Sequence, residues 1–215
     1  MKIHTYFNDI GFHGQEDIIA KWESNWRNAG FEPVVLKIDD AKANPHFGEY
    51  AEEIHRAAKD CGYDMSDYAF SCFARWLAYA NQTGEAFYVS DYDVFNAGLA
   101  PDRPSDKLHF MDGRCPCLVS GSPSQFLELC FMFSTNWSPR RCGSVKSFHD
   151  QAWLMKNYSL LVDSGLAIFD KKDTGLDGRA VHLSTKLARK QLGGIEKVTR
   201  GMLDSAKLKL ILEFS

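Results

Sequence analysis

The sequence predicts an α/β fold with a mostly parallel central sheet, because short apolar runs alternate along the chain with stretches of helical periodicity. The clearest apolar runs cover residues 33–38 and 86–90, and their continuous hydrophobicity is typical of strands buried on both faces. Chain length also favours one unit, since 215 residues, of which 45% are hydrophobic, suffice for a single sizeable core. We therefore expect one domain over residues 1–215.

The first half of the chain alternates strand and helix patterns. Residues 15–29 place Trp22 and Trp26 on one helical face, as a helix packed on a sheet requires. Gly30 follows as a residue suited to ending that helix. The predicted elements are, in order, a strand at 2–7, a helix at 15–29, a strand at 33–38, helices at 48–60 and 67–82, and a strand at 86–90.

The second half is less regular, with loops rich in Pro, Gly and Ser between shorter elements. The expected elements are strands at 107–111 and 116–120, helices at 124–133 and 150–158, and an amphipathic C-terminal helix at about 195–213 whose apolar face carries Ile195, Val198, Met202, Ala206 and Leu210. We expect that face to pack on the core and the basic residues of the helix to lie on a solvated face.

The most informative motif follows the second buried run and contains two carboxylates, Asp91 and Asp93. Side chains two residues apart in an extended chain point the same way, so these carboxylates repel each other unless a positive group lies between them. A divalent metal is the usual solution, and solvated loop aspartates are the plain alternative. Ligands of parallel sheets bind outside the carboxyl ends of the strands, here around residues 5–8, Asp39 and Asp91.

Composition argues against several classes of protein. The formal net charge of −3 does not favour a general electrostatic grip on nucleic acid or anionic membranes. No apolar run is long enough for a transmembrane helix, and residues 1–9 lack the features of a signal peptide, so a cytoplasmic protein is expected. Cys115 and Cys117 lie one residue closer than the usual zinc motif requires, and the six cysteines are expected to be mostly buried thiols.

Four stretches of the chain together resemble a known family. They are Gly30–Leu36, Arg75–Leu77, Tyr88–Phe95 with the D-x-D motif, and Ala180–Leu183 with its histidine. In order and spacing they resemble the metal-dependent glycosyltransferases of the GT-A fold, in particular small polysaccharide-type and virus-encoded members. The resemblance implies a single-domain, Rossmann-like fold with a mixed, mostly parallel sheet. It divides the chain into a nucleotide-sugar half (about 1–95), an acceptor half (about 96–190) and the C-terminal helix.

The resemblance also implies a divalent metal, Mn²⁺ or Mg²⁺, at the D-x-D motif. Asp93 is expected to ligate it directly and His182 to be the second ligand. Asp91 is expected to reach the metal, the ribose of the donor, or both. Two carboxylates and an imidazole suit these ions better than calcium, which prefers more oxygen ligands. A structural role at a strand end is the alternative for His182.

Further residues are expected to hold the donor, which the resemblance implies to be a UDP-sugar. They are Thr5, Tyr6, Phe7, Asp39, Arg75, Asp91 and Tyr92. Asp39 has a helix N-cap as its alternative role, and Arg75 a place on a solvated helix face. Asp150 corresponds to the catalytic base of the inverting members. A helix N-cap, or a binding role as in retaining members, explains Asp150 equally well.

The implied function is transfer of a sugar from a nucleotide-diphosphate sugar to an acceptor hydroxyl of a glycan. Three alternatives stay open: the same chemistry on a hydroxymethylated DNA base, a non-catalytic nucleotide-sugar-binding module, and an aspartyl-nucleophile phosphatase, although the D-x-D of those phosphatases normally follows the first strand. Trp137 and the Arg140–Arg141 pair are expected to flank the acceptor, with a plain surface loop as the alternative. For a DNA acceptor, Arg140, Arg141 and Lys146 are the candidate local basic track.

Overall fold

The computed structural model describes residues 1–9, 15–113, 115–137, 148–170, 176–193 and 200–214. Within these ranges a central sheet contains six strands: β1 (Lys2–Tyr6), β2 (Glu32–Leu36), β3 (Phe87–Ser90), β5 (Leu108–Asp112), β6 (Cys115–Gly121) and β7 (Ala167–Phe169). Their order across the sheet is β2–β1–β3–β6–β5–β7. A separate antiparallel pair joins β4 (Val94–Asn96) to β8 (Ala180–His182).

The sheet is mixed and mostly parallel, which confirms the predicted fold class at that level. Strand β1 pairs in parallel with β2 and β3, and β5 pairs in parallel with β7. Strand β6 lies between β3 and β5 and runs antiparallel to both. Five of the six described strands therefore point the same way, and the carboxyl ends of β1 and β3 meet at one edge.

Helices cover both faces of the sheet. They are α1 (Gln15–Asn28), α2 (Ile38–Lys42), α3 (Phe47–Asp60), α4 (Asp67–Ala80), α5 (Pro123–Thr135), α6 (Asp150–Asp163), α7 (Thr185–Gln191) and α8 (Arg200–Phe214). Side chains of α3 to α6 form one buried cluster with Phe87 and Val89, whereas α1 and α8 contribute to a second cluster with Tyr88. The alternation along β3 shows that this strand is buried on both faces, as its apolar run predicts.

Two buried tryptophans of α1 attach this helix to the strand that carries the D-x-D motif. Trp22 donates its indole N–H to the hydroxyl of Ser90, at 2.9 Å, and Trp26 donates to the carbonyl of Val94, also at 2.9 Å. Both side chains are fully buried. A buried indole needs a hydrogen-bond acceptor, so these two bonds specify where the end of β3 lies relative to α1.

Several local predictions need correction. Ile38 begins α2 instead of ending a strand, because the Asp40 carboxylate accepts a hydrogen bond from the Lys37 backbone N–H at 2.7 Å and so caps that helix. Strands β4 and β7 and helix α7 were not predicted. The described part of the C-terminal helix does pack on the core, with Ala206 and Leu210 buried. Residues 195–199 of that predicted helix lie outside the described ranges.

Cysteine chemistry agrees with the expectation only in part. Cys72, Cys115, Cys117 and Cys130 are free thiols. Cys61 is disulfide-bonded, which corrects the prediction for that residue.

Membrane insertion through a helix has no support in the described ranges, where no helix combines the length and apolar character needed to span a bilayer.

The packing of β6 against β5 leads to a test of the sheet. A Cβ atom placed on Gly121 would lie 2.5 Å from Cδ2 of the fully buried Leu108, so Gly121→Ala forces a side chain to move inside a close-packed core. We expect this substitution to lower the free energy of unfolding by about 1–3 kcal/mol in urea denaturation. Gly48→Ala is the matched control, because a Cβ there meets no atom within 4 Å. Helix propensity should leave this control unchanged or more stable by up to about 1 kcal/mol. Equal losses in the two variants would contradict the packing described for Gly121.

Candidate functional site

A cavity of about 310 Å³ opens at the edge where β1 and β3 end. Three groups of side chains line it, with further residues between them. They are Tyr6, Phe7 and Asn8 at the end of β1; Asp91, Tyr92 and Asp93 after β3; and Arg75, Cys115, His182 and Lys207 from α4, β6, β8 and α8. The predicted ligand-binding edge and the cavity therefore coincide.

The D-x-D motif lies in a turn and not in extended chain. The backbone N–H of Asp91 donates to the carbonyl of Cys117 at 2.9 Å, and the N–H of Val94 donates back to the carbonyl of Asp91 at 3.0 Å. The expectation that Asp91 and Asp93 lie in extended chain and point the same way is therefore wrong, because the backbone turns at the motif. The turn nevertheless brings the two carboxylates together. One potential metal-ligating atom from each of Asp91, Asp93 and His182 lies within 4.8 Å of the other two.

His182 reaches the motif through the small second sheet. It pairs with Val94 in the register of β4 and β8, and the N–H of the following Leu183 donates to the carbonyl of Asp93 at 2.8 Å. The imidazole Nε2 lies 3.5 Å from Oδ1 of Asp93. Burial alone would lower the pKa of His182, but hydrogen bonds with Asp93 and Cys115 outweigh it and raise that pKa to about 11. The imidazole is therefore a cation beside the carboxylate in the ligand-free chain.

Lys207 on α8 is a site residue that the sequence reasoning missed. Its ammonium donates to Oδ2 of Asp93 at 2.5 Å, and its side chain is only 2% exposed. Burial raises the pKa of Asp93, but the hydrogen bonds from His182 and Lys207 outweigh burial and hold that pKa below its usual value. The sequence does contain a signal, because Lys207 lies four residues after Leu203 and three before Leu210, inside the apolar stripe.

Arg75 connects the two other carboxylates of the site. Its Nη1 donates to Asp91 at 2.6 Å, while its Nη2 and Nε donate to Oδ2 of Asp150 at 2.5 Å and 3.0 Å. The side chain is 14% exposed, so Arg75 is not a solvated helix residue. Burial raises the pKa of Asp91, and the nearby Arg75 only partly offsets that rise.

Asp150 is buried and holds Arg75, and its role as a catalytic base stays a prediction. Its side chain is 3% exposed, and its carboxylate also accepts hydrogen bonds from the Trp76 indole at 2.8 Å and from the Gln151 N–H at 2.7 Å. A general base needs a free acceptor within reach of the proton that it removes. The helix N-cap is His149 and not Asp150, since the His149 ring accepts from the N–H of Ala152. Asp150 instead orients the guanidinium of Arg75.

The other predicted donor-binding residues separate into two groups. Tyr6, Phe7 and Tyr92 line the cavity, and the rings of Phe7 and Tyr92 meet edge to face with centroids 6.1 Å apart. Thr5 is fully buried, and Asp39 lies in α2 with an 88% exposed side chain paired to Lys42; neither is among the residues found to line the cavity. The structure therefore does not bring these two residues to the site.

The predicted acceptor loop is described only at its start. Trp137 is half-buried and its ring stacks on Phe148, with centroids 4.1 Å apart. Arg140, Arg141 and Lys146 lie outside the described residues. Their proposed contact with an acceptor stays a prediction.

Among the residues that the structure describes, two sets of side chains have the donor atoms of a metal site. Asp91, Asp93 and His182 form a set of two carboxylates and an imidazole, which fits a hard divalent cation. The carboxylate oxygens of Asp93 already contact the Lys207 ammonium and the His182 imidazole, so a metal cation competes with these two side chains for that carboxylate. The second set consists of Asp112, Cys115, Cys117 and His182.

Comparison with known proteins adds no assignment. Neither a scan against models of protein families nor a search of curated proteins finds a match for this chain.

The buried contact between Asp93 and Lys207 leads to a stability prediction. Lys207→Met leaves a buried carboxylate with one cation fewer, and we expect the free energy of unfolding to fall by about 3 kcal/mol. The double variant with Asp93→Asn should recover part of that loss, with a coupling energy of about 1–3 kcal/mol in urea denaturation. Lys209→Met is the matched control on the exposed side of α8 and should change stability by less than about 0.5 kcal/mol. Equal effects of the two lysine substitutions would exclude a buried ion pair at Asp93.

Proposed function

We propose that the protein is a metal-dependent glycosyltransferase that moves a sugar from a nucleotide-diphosphate sugar, UDP-linked in the first instance, to an acceptor hydroxyl of a glycan. The observation that supports this most is the convergence of Asp91, Asp93 and His182 beside a cavity at the carboxyl ends of β1 and β3. In open α/β sheets that edge is where nucleotides bind. The resemblance of the D-x-D segment to the GT-A enzymes supplies the reaction class.

The size and the lining of the cavity support a ligand site at this edge of the sheet. Its volume of about 310 Å³ lies near the lower end of the range for ligand sites, about 300–1,000 Å³. Tyr6, Phe7 and Tyr92 offer aromatic surface for a nucleobase beside β1, and the D-x-D turn lies next to them. A base held against β1 would place the diphosphate toward Asp91 and Asp93.

The donor leaves as a nucleoside diphosphate, so catalysis requires stabilisation of the negative charge that develops on the leaving oxygens. Mn²⁺ or Mg²⁺ held by Asp91, Asp93 and His182 supplies that neutralisation when bound. Arg75 and Lys207 add fixed positive charge at the cavity wall. Asp150 acts as a positioning residue in this proposal, because it holds Arg75 and is itself buried.

The acceptor is the least constrained part of the proposal. A glycan hydroxyl follows from the resemblance, and the net charge of −3 gives a DNA acceptor less support. A cytoplasmic location stays a prediction from the N-terminal sequence.

Donor binding provides the first test. UDP and Mn²⁺ together should raise the melting temperature, because a ligand at 100 times its Kd stabilises the native state by about 2.7 kcal/mol. For a chain of this length that corresponds to about 5–10 °C in differential scanning fluorimetry. UDP without metal should give a smaller shift. The absence of any shift at millimolar UDP and Mn²⁺, with a folded sample, would count against the donor site.

Turnover provides the second test. A panel of nucleotide sugars is incubated with the protein and Mn²⁺, and released UDP or GDP reports slow hydrolysis by water. Asp93→Asn should reduce this release by about 100-fold or more, since it removes a ligand whose charge stabilisation acts in the transition state. Asp163→Asn, an exposed carboxylate at the end of α6, is the matched control and should retain full activity.

The same assay separates the alternatives. Nucleotide binding without release from any donor would favour a non-catalytic binding module. Hydrolysis of an aryl phosphate that is lost in Asp91→Asn would favour the aspartyl-nucleophile phosphatases.

A further inference from the structure

A second group of potential metal ligands lies beside the D-x-D turn. Asp112, Cys115, Cys117 and His182 each offer one donor atom, and these four atoms all lie within 4.8 Å of one another. We propose that these four side chains form a Zn²⁺ site, separate from the carboxylates of Asp91 and Asp93. The proposal goes beyond the glycosyltransferase function. It assigns His182 to zinc, so the hard cation of the proposed function would then be held by Asp91 and Asp93 without the imidazole.

The backbone of β5 and β6 explains why three of the ligands converge. Cys115 and Cys117 are two residues apart in β6, so their side chains lie on the same face of the sheet. Asp112 is directly opposite Cys115 in the antiparallel register, next to an irregularity in β5 between Phe110 and Asp112. The thiol of Cys117 lies 3.5 Å from Oδ2 of Asp112. The close Cys115–Cys117 spacing that argues against a zinc motif in a loop is thus suitable in a strand.

The fourth ligand comes from a different sheet. His182 in β8 is held by its pairing with Val94 of β4, and its imidazole offers a ring nitrogen within 4.8 Å of the Cys115 thiol. The donor set therefore comes from three strands whose positions are determined by backbone hydrogen bonds. Such a preformed arrangement reduces the ordering needed when a metal binds.

The chemistry of the four groups selects the metal. Two thiolates, an imidazole and a carboxylate match the tetrahedral coordination of Zn²⁺, whereas Mn²⁺ and Mg²⁺ prefer oxygen donors. A site with four protein ligands is closed, as in structural zinc sites. Cys115 and His182 line the cavity, which gives the ion a route to the buried Cys117. With His182 bound to zinc, Asp91 and Asp93 remain as oxygen donors for a hard cation.

The test titrates the reduced, metal-stripped protein with Zn²⁺ and, separately, with Co²⁺. We expect one equivalent of Zn²⁺ by elemental analysis after dialysis, and a cobalt–thiolate charge-transfer absorption that Zn²⁺ abolishes. Cys115→Ser should weaken Zn²⁺ binding by more than about 100-fold, because even the loss of supporting hydrogen bonds around a metal ligand costs about 10–100-fold. Cys72→Ser is the matched control, since Cys72 is a free thiol that lines the same cavity but is outside the donor set.

Two further measurements keep the outcomes distinct. Asp91→Asn should retain the cobalt–thiolate absorption even if it loses Mn²⁺-dependent donor release, so failure of the glycosyltransferase proposal leaves the zinc result intact. In the wild-type chain Zn²⁺ should slow alkylation of Cys115 but not of Cys72, which tests the site even if a variant fails to fold. Zinc below half an equivalent, no charge-transfer absorption, or equal effects of the two serine substitutions would overturn the proposal.

Discussion

The site is organised by the charge balance around three buried or half-buried carboxylates. Asp91, Asp93 and Asp150 are compensated by Arg75, Lys207 and the cationic imidazole of His182. Each of these cations comes from a different element, α4, α8 or β8, and each is in place only when its element packs correctly. Removal of one partner leaves a buried charge without compensation, which costs far more than the pair contributes. The charges therefore couple the positions of α4, α8 and β8 to the carboxylates of the site.

Hydrogen bonds from aromatic residues reinforce that arrangement. The indoles of Trp22 and Trp26 hold the two ends of the D-x-D segment, and the indole of Trp76 shares Asp150 with the neighbouring Arg75. Each tryptophan contributes a large apolar surface to the core and one directed bond toward the site. Core packing and site geometry are thus not separable here, since the same side chains determine both.

Much of the fold follows from local patterns, and part of the site does not. Continuous apolar runs identified β2 and β3, and the parallel arrangement placed Asp91 and Asp93 at a cavity. The expectation that both strands are buried on both faces is correct for β3 and wrong for β2, which lies at the edge of the described sheet with only Leu36 buried. The bond from the Asp91 N–H to the carbonyl of Cys117, 26 positions later, continues the pairing of β3 with β6 up to the motif, and no local pattern contains it. Lys207 was assigned to solvent because a lysine is almost always exposed, and only its pairing with Asp93, 114 residues away, explains its burial. The burial of Asp150 and its contacts with Arg75 are tertiary facts that local patterns do not contain either.

The reversed direction of β6 affects what can gather at one edge of the sheet. The parallel strands bring their carboxyl ends to this edge, whereas β6 brings its amino-terminal residues there, as the pairing of Ser90 with Leu118 shows. Because β6 begins at this edge, its first residues can contribute ligands there without a long connection across the fold. The direction of β6 thus places the thiols of Cys115 and Cys117 next to the carboxylates of Asp91 and Asp93. A site with sulfur ligands and a site with oxygen ligands, which select different metal ions, can therefore lie side by side within a chain of 215 residues.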